Sequence, residues 1–197
     1  MAAIQVLPEV GGYTPLFKKG TKESAWQSHV IHAYGREIAL LLQYRAEDTF
    51  DYNGRCKRAA ILWQWINGIP IDEIERTFSV TPYAGSIGAG DIRRFADSTR
   101  LYLRAAYEIA HILIVANDFD EMAIDHLLKR LEVGLPEAAL PLLSLPLRLT
   151  RGEYLALLAA GCTTPEAVRA LSMNELSQLL SPQRAVQLMQ QFHAVGH

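Results

Sequence analysis

The sequence predicts an all-α fold, and three observations support this prediction. Residues that favour helices, namely Ala, Leu, Arg, Glu and Gln, dominate over runs of β-branched residues. No stretch alternates between apolar and polar residues for long enough to form a strand. The chain has 197 residues, of which 50% are hydrophobic, so it can bury the core of one large domain or two small ones without disulfide or metal staples.

The most regular predicted element is a long helix between residues 85 and 115. Asp91 is its predicted N-cap, because the carboxylate can accept from the free N–H groups of the first turn. The helix is therefore expected to begin near Ile92, after a run of small residues and glycines that cannot hold a helix. One face carries a predicted core stripe at the three-and-four spacing. Its members are Ile92, Phe95, Thr99, Tyr102 or Leu103, Ala106, Ile109 or Ala110, and Leu113.

The other face of this helix carries Arg94, Asp97 or Ser98, Leu101, Arg104 and Glu108, and this stretch of the chain is locally basic. Four arginines stand against two aspartates between residues 91 and 107, in a chain whose net charge is −2. Such a face can contact phosphates, or it can be a solvated surface with Asp97–Arg100 and Arg104–Glu108 ion pairs. The arginines are Arg93, Arg94, Arg100 and Arg104.

Residues 1–22 are interrupted by prolines and glycines and predict an arm whose ordering would need a partner surface. A cluster of three lysines (Lys18, Lys19 and Lys22) could touch phosphate, although such clusters are usually solvated. The helical period then predicts further elements. These are a helix at 23–46 capped by Thr21 or Ser24, a turn at 48–54, a helix ending before Gly68, a short helix at 71–78, a loop at 79–90, an acidic turn, a helix at 122–133 and a helix-like run at 137–143.

The last third of the chain contains several helix-boundary signals. Ala160-Gly161 is a typical helix end. Thr163 or Thr164 can cap the next helix, since Pro165 occupies its first position. Ser172 to Glu175 forms a predicted capping box for a further helix.

Two ordered motifs resemble a known family. The runs LWQWINGIPIDEIERTF from Leu62 and GDIRRFADSTRLYLRAAYEIA from Gly90 are similar to the C-terminal accessory region of Ski-like DExH-box superfamily 2 helicases, and most to archaeal-type fork-repair DNA helicases. The resemblance covers about residues 53–180. After the N-terminal arm (1–22), it implies a helical ratchet-like domain with a long central helix (23–143) and a small helix-hairpin-helix-like domain (144–197).

The resemblance also implies contacts to a translocating single strand. Arg94 matches the second arginine of the family motif, and Leu101 stands where the family has an aromatic that stacks on a base. In the family hairpin, glycines let backbone N–H groups reach phosphate. Here Thr150 takes the place of the second glycine, so phosphate binding and a structural or partner-binding role both remain open. The candidate nucleic-acid-binding residues are Arg93, Arg94, Ser98, Leu101, Arg104, Arg148 and Arg151.

The chain has no GxxxxGK[ST] segment and no DExH-type acidic box, so it lacks an ATPase motor. No catalytic constellation, metal ligand set or cofactor site is expected here, and ATP and Mg²⁺ are expected only in motor domains outside this chain. Cys56 and Cys162 are too few for a disulfide framework and predict free thiols in a cytoplasmic protein. No secretory or membrane-spanning segment is predicted.

The leading hypothesis is a non-motor accessory module of a DNA helicase. It would contact single-stranded DNA, or RNA, while motor domains in cis or in trans move 3′ to 5′ using ATP. The alternative is a stand-alone helical scaffold that docks on a motor or repair partner without catalysis. A helix-turn-helix regulator is less favoured, because the loop at 79–90 is longer than that motif tolerates.

Overall fold

A computed structural model describes residues 1–10, 12–17, 22–81, 83–114 and 120–195. Across these residues every regular element is a helix, which confirms the predicted all-α fold. The chain divides into two compact units, Met1–Glu132 and Val133–His197. In the part of the chain that the structure describes, no helix is long and apolar enough to cross a membrane.

The first unit begins with a 3-10 helix at Ala2–Val6, and a second 3-10 helix at Lys22–Ser24 precedes its α-helices. The α-helices are α1 (Ala25–Tyr34), α2 (Arg36–Tyr44), α3 (Thr49–Ile66), α4 (Ile71–Phe78), α5 (Ala89–Leu113) and α6 (Glu121–Val133), the last of which ends at the boundary of the unit. The helices predicted at residues 71–78 and 122–133 are therefore confirmed. Helix α3 ends as predicted, with Gly68 at a φ of 80° just beyond it.

Helix α3 is the most buried element of this unit. Residues 52–62 are all buried, because α1, α2, α4, α5 and the first 3-10 helix pack around them. The hydrophobic core joins Ile61 and Leu62 of α3 to Phe78 of α4 and to Ile92 and Phe95 of α5. This packing fixes the first half of α5 against the body of the unit.

The N-terminal segment packs into the unit, whereas the sequence predicts an arm in need of a partner surface. Gln5 is fully buried, and its Nε2 donates to Thr99 Oγ1 of α5 at 2.8 Å. Arg58 of α3 donates to Gln5 Oε1 at 3.0 Å and to Thr14 Oγ1 at 2.6 Å. The partner surface is thus the chain's own α2, α3 and α5. Lys18, Lys19 and Thr21 lie outside the described residues.

A buried lysine joins this segment to the loop before α5. Lys57 is fully buried, and its ammonium group donates to Glu23 Oε1 and to the Pro15 carbonyl at 2.9 Å each, and to the Gly85 carbonyl at 3.1 Å. All three protons of the ammonium therefore have acceptors. Burial lowers the pKa of Lys57, while the hydrogen bond and charge of Glu23 oppose this shift. Three parts of the chain that are distant in sequence meet at this cluster, namely residues 15–23, α3 and the loop before α5.

Gly85 lets the loop before α5 approach the N-terminal segment closely. Its φ is 69°, a conformation that L side chains rarely adopt. A Cβ at this position would lie 2.7 Å from the backbone nitrogen of Phe17. Only glycine therefore allows the Gly85 carbonyl to reach Lys57.

Two predicted boundaries in the first unit are wrong. The single helix predicted at 23–46 is divided by Gly35, whose φ of 89° and ψ of 162° are incompatible with a helix. The turn predicted at 48–54 forms the N-cap and first turns of α3, because the Asp48 side chain accepts from the Asp51 N–H at 2.7 Å. Gly54 lies inside the helix, where Leu16 and Thr14 pack against it.

The predicted N-cap of the long helix is also wrong. Helix α5 begins at Ala89, with Gly88 as its N-cap, so Asp91 occupies the third position of the helix. From there its Oδ2 accepts from the Gly88 N–H at 3.1 Å. The carboxylate therefore still lies at the positive end of the helix dipole, one turn later than expected.

The second unit contains a 3-10 helix at Glu137–Ser144 followed by α7 (Arg151–Ala159), α8 (Pro165–Arg169), α9 (Met173–Leu179) and α10 (Pro182–Val195). Thr164 caps α8, and Ser172 with Glu175 forms the predicted capping box of α9. The boundary of this unit differs from the predicted division after residue 143. Leu135 and Leu142 explain the difference, because both are buried in the core of the second unit.

Candidate nucleic-acid interface

Helix α5 has a buried first half and an exposed second half. Ile92, Phe95 and Thr99 are fully buried and Leu103 is nearly so, which confirms the first part of the predicted stripe. Ala106, Ile109 and Leu113 do not belong to the core, and Leu113 is 72% exposed. In the described part of the chain the buried residues of α5 end at Leu103, so other elements bury only the first half of this helix. The periodicity of apolar residues predicts which face of a helix is buried. It does not predict how far along the helix other elements cover that face.

Arg94 connects the basic face of α5 to the N-terminal segment. Its Nη2 donates to Asp91 Oδ1 at 2.7 Å and to the Tyr13 carbonyl at 3.0 Å. The guanidinium carbon also lies 4.8 Å from the centroid of the Phe95 ring. Arg94 is thus held in place, with its side chain 40% exposed and its charge partly compensated by Asp91.

Two other arginines of α5 are less constrained. Arg93 is exposed and makes no hydrogen bond or ion pair within the described part of the chain. Arg104 is exposed, and among the described residues it pairs with Glu108 alone, 3.8 Å away on the next turn. Such an exposed pair contributes little and exchanges readily with water. Both cations could therefore contact a phosphate without breaking the core.

Arg100 is the most neutralised arginine on this helix. It forms ion pairs with Asp97 at 3.7 Å and with Glu132 of α6 at 3.3 Å. The Asp97–Arg100 and Arg104–Glu108 pairs predicted for a solvated surface are therefore both present. They do not exclude a nucleic-acid contact, because Arg93 is outside these pairs.

Leu101 lies in a depression between α5 and α6. The depression has a volume of about 270 Å³ and is lined by Asp97, Arg100, Leu101, Arg104 and Leu128. Leu101 is 66% exposed. Arg94, Ser98 and Leu101 follow at intervals of four and three residues, so they form a row on one face of the helix. This row brings together three of the residues predicted as strand contacts.

In the second unit, Arg151 is already engaged. Its Nε donates to the Gly134 carbonyl at 2.6 Å. Burial lowers the pKa of Arg151 to about 10. Arg148 is exposed at its side chain, while its carbonyl accepts from Arg184 at 2.7 Å. Of the two arginines predicted here as phosphate contacts, Arg148 is the more accessible.

The resemblance predicts Thr150 at the place of a family glycine, and in the structure Thr150 caps α7. Its N–H donates to Glu153 Oε2 at 2.7 Å, and its hydroxyl accepts from the Glu153 N–H at 3.3 Å. Burial raises the pKa of Glu153, but hydrogen bonds from Arg184 and Thr150 outweigh this effect and hold it below the usual value. The Thr150 N–H therefore already donates to a carboxylate, so it is not free to donate to a phosphate. This geometry favours the structural role for the hairpin.

The sequence does not predict two exposed features of the first unit. Tyr13 falls in the predicted arm, yet it lies beside Arg94 and is 72% exposed. The second feature is an apolar groove of about 480 Å³ along the exposed half of α5. It is lined by Leu7, Tyr102, Ala105, Ala106, Ile109, Ala110, Leu113 and Ile114. No local signal marks Tyr13, because its position depends on contacts with residues more than 80 positions away.

No metal site is evident among the described residues, since no three His, Cys, Asp or Glu side chains come together in a way that could hold an ion. Cys56 and Cys162 are free thiols and both are buried. Burial raises the pKa of Cys56 to about 12. Neither thiol therefore has the exposure or the thiolate character of a reactive cysteine.

The described residues are all helical, and the longest helix among them presents exposed arginines, an arrangement compatible with the helicase accessory region that the sequence resembles. Residues 4–134 match the family model described as archaeal helicase, domain 4. This match covers about two thirds of the chain, so the chain belongs to that family. It begins at residue 4, so most of the first 3-10 helix is included in the family domain.

Two curated relatives are similar to the chain. One is the ATP-dependent DNA helicase Hel308 of Pyrococcus abyssi, 30% identical over 123 residues, which are 62% of this chain and 16% of that protein. The other is the ATP-dependent DNA helicase Hel308 of Pyrococcus horikoshii, 29% identical over 146 residues, which are 74% of this chain and 19% of that protein. The chain thus spans less than a fifth of the length of either relative. These findings confirm the resemblance to the C-terminal accessory region of archaeal-type superfamily 2 helicases.

Proposed function

We propose that this chain is a non-motor accessory module of an archaeal-type DNA helicase and that α5 contacts single-stranded DNA. The motor domains, which would bind ATP and Mg²⁺, lie outside this chain and act in cis or in trans. The observation that carries the proposal is the row of Arg94, Ser98 and Leu101 on one face of α5, flanked by the exposed cations Arg93 and Arg104. Family membership supports the same assignment.

The packing of α5 suits this role. Its first half is anchored in the core through Ile92 and Phe95, so the row of contacts is held on a rigid element. The net charge of the chain is −2, so attraction to the strand comes from a local patch and not from the whole molecule. Leu101 offers an apolar contact without a ring, and stacking on a ring contributes roughly 1–3 kcal/mol per base. We therefore expect the isolated chain to bind single strands weakly.

The first test replaces the two exposed arginines. Arg93→Ala/Arg104→Ala should weaken binding to a fluorescent oligothymidine and flatten its salt dependence, because each lost phosphate contact removes about 0.7 from the log–log slope. Fluorescence anisotropy at several KCl concentrations measures both quantities. The matched control is Arg36→Ala/Arg76→Ala, which removes the same charge from α2 and α4. If the first variant keeps the wild-type affinity and slope, the contact through α5 is refuted.

The second test restores an aromatic at Leu101. Leu101→Trp should tighten single-strand binding by a factor of roughly 5 or more, since a stacked ring contributes at least about 1 kcal/mol per base. Leu40→Trp, at a half-exposed position of α2, is the control for non-specific binding caused by an added exposed tryptophan. Equal tightening in both variants, or none in either, would count against a strand passing over Leu101.

The second candidate function is a helical scaffold that docks on a separate motor or repair partner without catalysis. The exposed apolar groove of α5 favours this alternative, because large exposed apolar patches commonly mark protein interaction sites. The same titrations separate the two functions. A scaffold should show no salt-dependent binding to single-stranded DNA, single-stranded RNA or duplex, whereas the accessory module should bind single strands.

A further inference from the structure

Tyr13 is an exposed aromatic residue on a fixed backbone. Its carbonyl accepts from Arg94 Nη2 at 3.0 Å. The hydroxyl of the next residue, Thr14, accepts from Arg58 Nη1 at 2.6 Å, and Thr14 is buried. The backbone is therefore held at Tyr13 and at the next residue, while 72% of Tyr13 remains exposed. Because the backbone is already held, a ligand that covers this ring has to order only the side chain and not the segment.

Gly12 allows this close approach to α5. Its φ is 55°, and a Cβ at this position would lie 3.3 Å from Arg94 Nη1. A side chain would therefore crowd the guanidinium that holds the Tyr13 carbonyl. The conformation of the segment thus depends on glycine immediately before the exposed tyrosine.

The position of Tyr13 relates it to the contact row on α5. Arg94 and Leu101 are seven residues apart, which is about two turns and about 10 Å along the helix. Because the Tyr13 carbonyl binds the Arg94 guanidinium, Tyr13 lies near the end of the row opposite Leu101. The exposed Arg93 is on the same turn as Arg94. The Tyr13 backbone therefore lies against one end of the row, and Arg93, about 100° further round the helix, flanks that end.

We propose that Tyr13 stacks on a base of the bound single strand and provides the ring that is missing at Leu101. The inference rests on the proposed function, since it needs a strand along α5. Every base has a π face, so the site would accept single-stranded nucleic acid of any sequence. Arg93 would contact a phosphate next to the stacked base. The absence of an aromatic at Leu101 is then compensated from a segment outside the helix.

The test compares a strand that has bases with one that lacks them. The probes are a fluorescein-labelled oligothymidine, an abasic strand of the same length and charge, and an oligouridine that separates DNA from RNA. Tyr13→Ala should weaken oligothymidine binding by a factor of roughly 5 or more and leave the salt slope unchanged. Tyr13→Phe should bind like wild type. Wild type and Tyr13→Ala should bind the abasic strand equally.

Tyr83→Ala is the matched control, because Tyr83 is 97% exposed and lies in the loop before α5. The inference is overturned if Tyr13→Ala binds oligothymidine as wild type does, or if it loses equal affinity for the abasic strand. In that case, weaker binding by Arg93→Ala/Arg104→Ala would leave the proposed function intact. If wild type binds no single strand at all, both proposals fail together. Loss of binding in Tyr13→Phe would also refute stacking.

Discussion

Replacing Lys57 with alanine is expected to lower the free energy of unfolding of the first unit by about 3–5 kcal/mol, the usual cost of removing one partner of a buried ion pair. The change leaves the Glu23 carboxylate buried without its cation and removes the donor to the Pro15 and Gly85 carbonyls. Urea denaturation followed by tryptophan fluorescence measures the effect. Trp26, Trp63 and Trp65 all belong to the first unit, so the signal follows that unit alone.

Lys129→Ala is the control, because Lys129 is exposed and pairs with Glu132 at 3.2 Å. It should cost less than about 1 kcal/mol. The double variant Lys57→Met/Glu23→Gln should recover part of the loss, since neither buried charge remains. Equal effects of Lys57→Ala and Lys129→Ala would show that the buried cluster does not stabilise the unit.

Replacing Phe95 with alanine is expected to destabilise the first unit by about 3–5 kcal/mol, as for other large-to-small changes at fully buried aromatic residues. Phe95 has no exposed surface and packs in the core shared by α3, α4 and α5. Its ring also lies against the Arg94 guanidinium. The same fluorescence-detected denaturation gives the change in midpoint and slope.

Leu101→Ala on the same helix provides the comparison, because Leu101 is mostly exposed. It should change stability by no more than about 0.5 kcal/mol. The contrast between the two variants defines which face of α5 belongs to the core. A large loss at Leu101, or a negligible one at Phe95, would mean that the faces are assigned in reverse.

The sequence predicts most of the helices of this fold because their periods and caps are local. Thr164, Ser172 and Gly68 mark boundaries through contacts within one or two turns, and all three predictions are confirmed. The division at Gly35 and the extent of α3 through Gly54 are different. Glycine permits several conformations, and the choice between them depends on tertiary packing.

The candidate site is predictable only in part. Periodicity places Arg94, Ser98 and Leu101 on one face, as the structure does. It cannot reveal that Arg94 is bound to Asp91 and to the Tyr13 carbonyl, because the latter contact joins residues far apart in sequence. Nor can it show that Glu153 accepts from the Thr150 N–H, which decides between the phosphate-binding and structural roles that the sequence leaves open.

The docking of the first 3-10 helix has a mechanical consequence. Gln5 binds Thr99 of α5 directly, and both side chains are fully buried. Force applied at the beginning of this 3-10 helix would therefore reach α5 without first extending a flexible segment. The 3-10 helix and α5 would move together under this force, whereas a flexible linker would extend. Stretching measurements from this point should record a stiff element up to the force at which the first unit unfolds.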